Sequence, residues 1–316
     1  MIDRVAVLGG TGLIGRHVLA ALQQVEARGI IATANRRPSF AAVGVEWRQA
    51  DLTSLDSTRE ALRGARIAVV CAGRLSTSAE LKRDPVGSVA TTLRIGVNAL
   101  EAAAEQGVER VVLMSSTTGY SARAGLKAEN AMFEGDPPAD WFGIGWVHRF
   151  LEKQLDWYCR LQRVTAGVAL RPTLVYGPHD DFDPQSGHFV PSFIRRVVER
   201  ERPIEVWGDG SQTRNLIHAA DVGSAIVRVL MDEAPGFAAY NVTASHGSSV
   251  KEVLQTLIDL DRFGDAEIVY RLERASGAAA LDVSSEAFRG RYGWQPAVSL
   301  HEGLADTLRW YRRSAR

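Results

Sequence analysis

The sequence predicts an α/β fold, a doubly wound parallel sheet of the Rossmann type carrying a smaller C-terminal α/β lobe. Three observations predict it. The apolar run Val5 to Leu8 is followed by glycines at 9, 12 and 15 and then by an apolar helical stretch, Leu13 to Val25. Strand-length apolar runs then alternate with helical patterns to about residue 164, the signature of parallel strands covered by helices on both faces. Past Val164 the elements shorten, and Gly, Pro, Asp and His cluster between 177 and 191.

The first unit reads as strand, glycine turn, helix. Gly9 permits the tight turn, Gly12 lets the backbone approach a pyrophosphate, and Gly15 lets the helix pack closely on the strand. The helix N-terminus adds free N–H groups and a positive dipole end. Gly9, Thr11, Gly12, Leu13, Ile14 and Gly15 are therefore candidate dinucleotide-binding residues. A second strand, Gly29 to Ala34, ends in Asn35-Arg36-Arg37, where an acidic residue selective for NAD would accept from the ribose 2′-hydroxyl. Guanidiniums pair instead with a 2′-phosphate, so NADP(H) is expected over NAD(H).

Next come a strand at Val45 to Gln49, a helix at Ser54 to Arg63 and a strand at Ile67 to Cys71. A long helix, about Val86 to Gln106, and a strand at Arg110 to Met114 complete the regular part. The segment Tyr120 to Gly145, with Asp136-Pro-Pro138, is long for a connector and borders the expected site, as a lid or a simple link. The division expected is 1–170 for the dinucleotide-binding domain, with part of the later chain returning to it, and 171–316 mainly for a substrate-binding lobe.

Composition narrows the function. Lys+Arg and Asp+Glu each total 37 over 316 residues, so bulk charge favours neither a nucleic acid nor a membrane as partner. The two cysteines, Cys71 and Cys159, have no metal-ligand spacing, and neither a metal site nor a disulfide is expected. With no signal-like segment before the first strand and no apolar run near 18 residues, a soluble, cytoplasmic protein is expected.

Further landmarks carry a resemblance: Asp51-Leu52, Cys71-Ala-Gly73, Ser115-Ser-Thr-Thr-Gly-Tyr120, Arg171-Pro-Thr-Leu-Val-Tyr-Gly-Pro178, Trp207-Gly-Asp-Gly-Ser-Gln-Thr-Arg-Asn-Leu-Ile-His-Ala-Ala-Asp221 and Tyr292-Gly-Trp-Gln-Pro296. Together they resemble the extended short-chain dehydrogenase/reductase family, the NAD-dependent epimerase/dehydratase group that acts on nucleotide sugars. The stretch Tyr176 to Arg196 is similar to the GDP-4-keto-6-deoxymannose epimerase/reductase branch, the GDP-fucose synthases. The resemblance implies that Asp51, Leu52, Cys71, Ala72, Gly73 and Leu174 join the cofactor site. It implies that Phe193, Arg196, Trp207 and Arg214 bind the nucleotide diphosphate of a substrate, a GDP-sugar being favoured. It also implies a homodimer built on the helices matching about 86–106 and 145–163.

Chemistry departs from this pattern. The family's Tyr-x-x-x-Lys pair, a phenol acid/base and a lysine that holds the ribose and lowers the phenol pKa, reads Trp146 and Phe150 here. Neither side chain titrates usefully. Lys82, Lys127, Lys153 and Lys251 are the only lysines, and none lies four residues after a tyrosine. Leu174 replaces the family's asparagine near the nicotinamide. Ser116 keeps the carbonyl-binding hydroxyl, His188 keeps the branch's histidine, and Thr118 stands where the branch has a cysteine, so Ser116, Thr118 and His188 are the candidate catalytic residues. His148, about 200° from Trp146 around the helix, is expected to face away. His218 and Asp221 are expected to serve lobe packing and a hinge. The function expected is an atypical NADP(H)-binding reductase, epimerase or dehydratase acting on a nucleotide-activated sugar. The alternatives are a catalytically silent sensor or partner subunit and an enzyme acting on a non-sugar carbonyl.

Overall fold

The computed structural model describes residues 2–74, 84–122, 125–184, 187–244, 247–274 and 282–314. Lys82 lies outside them, as do Gln185 and Ser186 of the stretch that resembles the GDP-fucose synthases.

Among the described residues seven strands form one parallel sheet. Chain order gives β1 (Val5–Leu8), β2 (Ile30–Ala34), β3 (Val45–Gln49), β4 (Ile67–Val70), β5 (Arg110–Met114) and β6 (Ala166–Pro172). Across the sheet they stand β3-β2-β1-β4-β5-β6, and a late strand, Gly236–Val242, lies in register against β6, Gly236 opposite Ala166 and Val242 opposite Pro172. Residue 170, the expected boundary, falls inside β6, and Gly236–Val242 comes from beyond it.

Because side chains alternate across a strand, β1 feeds both faces. Ala6 and Leu8 enter one core with Leu62, Leu100, Leu151 and Leu155, under α2 (Leu55–Leu62), α3 (Gly87–Glu105) and α4 (Phe142–Arg160). Val5 and Val7 enter the other with Val18, Leu22, Val222 and Ile226, under α1 (Leu13–Gln24) and the helix Ala219–Leu230. α3 and α4 pack tightly. A Cβ on Gly96 would come 2.3 Å from Leu151 Cδ1, which explains a glycine inside a helix.

The lobe builds a third core. β7 (Leu174–Tyr176) leads into α5 (Phe189–Val198), then β8 (Ile204–Trp207), β9 (Thr213–Arg214) and β10 (Leu216–His218). The helix Ala219–Leu230, α6, carries the chain back to α1, and Gly236–Val242, β11, completes the sheet. The chain continues through β12 (Ser248–Ser249), α7 (Val250–Leu260), β13 (Ile268–Arg271), α8 (Glu286–Tyr292) and α9 (Leu300–Ser314). β7 pairs with β10 and β8 with β13 in parallel, while β9 and β12 run antiparallel. Val190, Ile194 and Val197 of α5 meet Leu254 and Leu257 of α7 and Leu304 and Leu308 of α9. The result sets the lobe beside the carboxyl ends of the sheet strands, where ligands bind in open α/β sheets.

Candidate active site

The glycine turn is sterically specified. Gly9 has φ +88, and a Cβ there would meet Ala72 Cα at 2.9 Å. A Cβ on Gly15 would stand 2.2 Å from Gly9 O, so the α1 entry can lie this close only with glycine. Gly12 N donates to Gly9 O at 3.1 Å, and a Cβ on Gly12 would meet nothing nearer than that oxygen, at 3.4 Å. The turn's outer side stays open for a phosphate. Thr33 anchors it from β2, its Oγ1 accepting Gly9 N–H at 2.8 Å. The sequence reading missed Thr33, whose only linear signal is a polar residue in an apolar strand.

At the adenosine end Asn35, Arg36 and Arg37 are exposed, and Asn35 O accepts from Gln49 Nε2. The Asp51 carboxylate closes a turn on Thr53, accepting from its Oγ1 and its N–H, and these bonds hold its pKa below the usual carboxylate range. Leu52 is buried, its carbonyl accepting from Asn98 Nδ2 at 3.0 Å. Burial pushes the Cys71 thiol up to about 12, so it is inert beside Ala72 and Gly73.

Past β5 a short 3₁₀ turn, Thr117–Gly119, presents the candidate catalytic hydroxyls. Ser116 Oγ accepts from Thr118 N–H at 3.2 Å and from Thr118 Oγ1 at 3.0 Å. With its lone pairs so engaged, the Ser116 hydroxyl proton is left to donate outward. The turn rests on α4: Arg149 Nε donates to Gly119 O at 2.8 Å, and a Cβ on Gly145 would lie 2.7 Å from Thr118 O.

Trp146 and Phe150 lie one turn apart on the outer face of α4 and are 41% and 52% exposed, so neither belongs to the core. Trp146 covers the buried Arg149 guanidinium, 4.8 Å from its ring centroid. His148, two residues on from Trp146, is held by burial at a pKa lowered to about 4. Behind the turn lies a buried polar network. Glu152 takes Arg171 Nε at 2.9 Å and Nη2 at 2.6 Å and accepts from Ser115 Oγ, while Arg171 Nη1 donates to Tyr120 OH. Tyr120 OH donates to Asn241 Oδ1 at 2.7 Å, tying the 120–145 segment to β11.

With this geometry, the residues 5–243 match the model of the NAD dependent epimerase/dehydratase family. The chain belongs to that family. Among its relatives, a probable GDP-L-fucose synthase 1 of Oryza sativa subsp. japonica is 26% identical, over 98% of this chain and 92% of that one. A dTDP-4-dehydro-6-deoxy-D-allose reductase of a Streptomyces species is 31% identical, over 98% and 96%. The fold matches UDP-glucose 4-epimerase of Thermotoga maritima with a TM-score of 0.85 at 21% identity, each chain covered in full.

The resemblance to the GDP-fucose synthase branch implies four substrate contacts on the lobe, and the structure treats them differently. Trp207 is 56% exposed, with Arg274 5.7 Å from its ring centroid. Arg214, on β9, is half-buried, and burial lowers its pKa. Phe193, in contrast, is buried in the lobe core against Phe189. Arg196 donates to Glu201 Oε1 at 2.8 Å and to Glu205 O at 2.8 Å, so its guanidinium is engaged within the protein. His188 stands at the N-terminal boundary of α5 without a side-chain capping bond, and burial lowers its pKa. Leu174 is half-buried on β7. His218 caps α6 through Ala220 N–H, and Asp221 accepts from Ala297 and Val298 N–H, which ties α6 to the lead-in of α9. Among the described residues no group of metal-ligating side chains converges, and no helix is long and apolar enough to cross a membrane.

Proposed function

We propose that this chain is an NADP(H)-binding epimerase/dehydratase relative that acts on a nucleotide-activated sugar, with a GDP-sugar favoured, as an atypical reductase, epimerase or dehydratase. The observation that carries the reading is the glycine turn, where Cβ atoms on Gly9 and Gly15 would collide with backbone. Such tolerance serves a dinucleotide pyrophosphate and has no packing purpose that alanine could not meet in a looser turn. Bound there, the nicotinamide would supply or accept hydride. The chain's own part is to orient a carbonyl through the Ser116 hydroxyl and to move a proton through His188, which burial keeps neutral and hence able to accept one. Similarity to the rice and Streptomyces proteins supports a deoxysugar nucleotide as substrate. Exposed Trp157 on α4 and Leu161 just past its end support a homodimer through that helix.

Calorimetric titration with NADP(H), NAD(H) and GDP-mannose tests this. Tighter NADP(H) than NAD(H) binding that strengthens GDP-mannose binding is expected, and absence of any dinucleotide binding would sink the proposal. A second reading, a silent binder, is favoured by one observation: Trp146 and Phe150 put two non-titrating groups where the family transfers protons. It fails if the protein converts a keto-sugar nucleotide faster than a Ser116→Ala, His188→Ala double variant.

A further inference from the structure

Two cations of α4 stand beside the catalytic turn without a counter-ion. The carboxylates of α4 are spent elsewhere, Glu152 on Arg171 and Asp156 on Arg160. Among the described residues no carboxylate lies within ion-pair distance of Arg149 or Lys153. Lys153 is exposed, its Nζ 4.3 Å from the Phe133 ring centroid, and water can solvate it. Arg149 has no such relief, being 1% exposed. Its Nε donates to Gly119 O at 2.8 Å, while Nη2 is buried with no hydrogen-bond partner. Trp146 and Phe133 cover the guanidinium, their ring centroids 4.8 and 5.9 Å from Cζ.

Holding a carbonyl needs only a neutral N–H, so the bond to Gly119 does not account for a buried charge. A guanidinium taken out of water loses more than two aromatic faces return, and it is repaid only by an anion in hydrogen-bond contact. Asp136 and Glu152 act on it from beyond that contact, and burial still lowers its pKa. The missing anion therefore has to arrive from outside the described chain. Its place is set by Gly119, which ends the turn bearing Ser116 and Thr118, and by Trp146, which stands where the family has its tyrosine. That is the sugar end of the substrate, since the resemblance assigns the diphosphate to the lobe.

We propose that Arg149 binds a carboxylate on the sugar, so that the substrate is a nucleotide-activated sugar acid, and that Trp146 is the cover that turns aside to admit it. The inference rests on the nucleotide-sugar reading above and adds an acid group to the sugar. With Nε committed to Gly119, the two terminal nitrogens of Arg149 remain to fork onto a carboxylate, whose planar oxygen pair they match. Trp146 is 41% exposed and outside the core, so its ring can leave the guanidinium without opening the fold. In the empty site the indole face shields the cation, and in the filled site the carboxylate takes over that task. Lys153 adds a second positive charge at the mouth, which draws an anion toward it.

The test is calorimetric titration of the full chain with two matched pairs, GDP-mannose against GDP-mannuronate and UDP-glucose against UDP-glucuronate, with tryptophan fluorescence followed in parallel. The wild type is expected to bind the uronate of at least one pair roughly tenfold or more tightly than its hexose, the worth of a charge-assisted fork. Arg149→Gln should remove most of that preference, and Arg149→Lys, which keeps the charge but not the fork, should retain part of it. The uronate should change the fluorescence more than the hexose does, and Trp146→Phe should abolish the difference. Binding of none of the four overturns the nucleotide-sugar reading and this inference with it. Equal binding of hexose and uronate, a preference that Arg149→Gln leaves intact, or a fluorescence response that does not depend on Trp146 overturns this inference alone.

Discussion

Arg171 and Glu152 provide the sharpest test of how the catalytic turn is held. Their side chains are 2% and 1% exposed, and the pair is joined by two charge-assisted hydrogen bonds. Burial pulls the Arg171 pKa down, but the bonds and charge of Glu152 outweigh it and leave it raised. Arg171→Met keeps the volume but strands the Glu152 carboxylate with Ser115 as its one remaining hydrogen-bond donor. It also removes the bonds to Tyr120 OH and Glu129 O. Breaking a buried pair from one side costs about 3–5 kcal/mol, because the other charge is left without compensation. Glu152→Gln should cost a similar amount by stranding the guanidinium. The double variant removes both charges, and its loss should fall short of the sum of the singles by about 2–4 kcal/mol. Urea unfolding followed by tryptophan fluorescence supplies the three free energies. Losses that add to within about 0.5 kcal/mol would refute the argument, since they would mean that neither charge depends on the other.

Other consequences are equally direct. Gly15→Ala drives a methyl toward Gly9 O, so dinucleotide affinity should fall at least roughly tenfold by calorimetry while far-UV circular dichroism stays nearly unchanged. Asp180→Asn should change how stability depends on pH. The folded-state pKa of Asp180, raised by burial to about 7 from 3.8, means that the wild type loses stability as pH climbs from about 4 to about 7, by about 4 kcal/mol. The variant's thermal midpoint should therefore exceed the wild type's at pH 8 and approach it near pH 4, and a gap independent of pH would refute the buried-acid account. Trp146→Tyr combined with Phe150→Lys should confer oxidoreductase activity on a keto-sugar nucleotide if the cofactor frame is intact.

Local chemistry was legible in the sequence and convergence was not. The glycine turn and the first five strands are short-range patterns, and each is found where the residues predict it. Helical periodicity likewise separates His148 from Trp146. The seventh strand was less legible. Gly236–Val242 reads like any lobe strand, and its place beside β6 is set by register across the sheet. Phe193 and Arg196 sit in a motif that the resemblance assigns to substrate, yet α5 spends Phe193 on the core and Arg196 on Glu201. Phe133 and Arg149 carry no linear signal linking them, because tertiary packing alone brings the segment before α4 over the guanidinium.

The double reversion is informative because of where the two residues stand. The inner face of α4, Ile144, Val147, Leu151 and Leu155, supplies the packing that holds the helix, whereas Trp146 and Phe150 are exposed. Exchanging exposed residues away from caps and core shifts stability by roughly 0.5 kcal/mol or less per site, although Trp146 also loses its contact with the Arg149 guanidinium, worth about 0.5–2 kcal/mol. The fold therefore tolerates the change, and an inactive reverted protein reports on chemistry rather than on folding. A reverted protein that binds NADP(H) and GDP-mannose as tightly as the wild type but gains no turnover would show that more than the proton-transfer pair has changed. Leu174, apolar where the family places an asparagine near the nicotinamide, is then the residue to revert next.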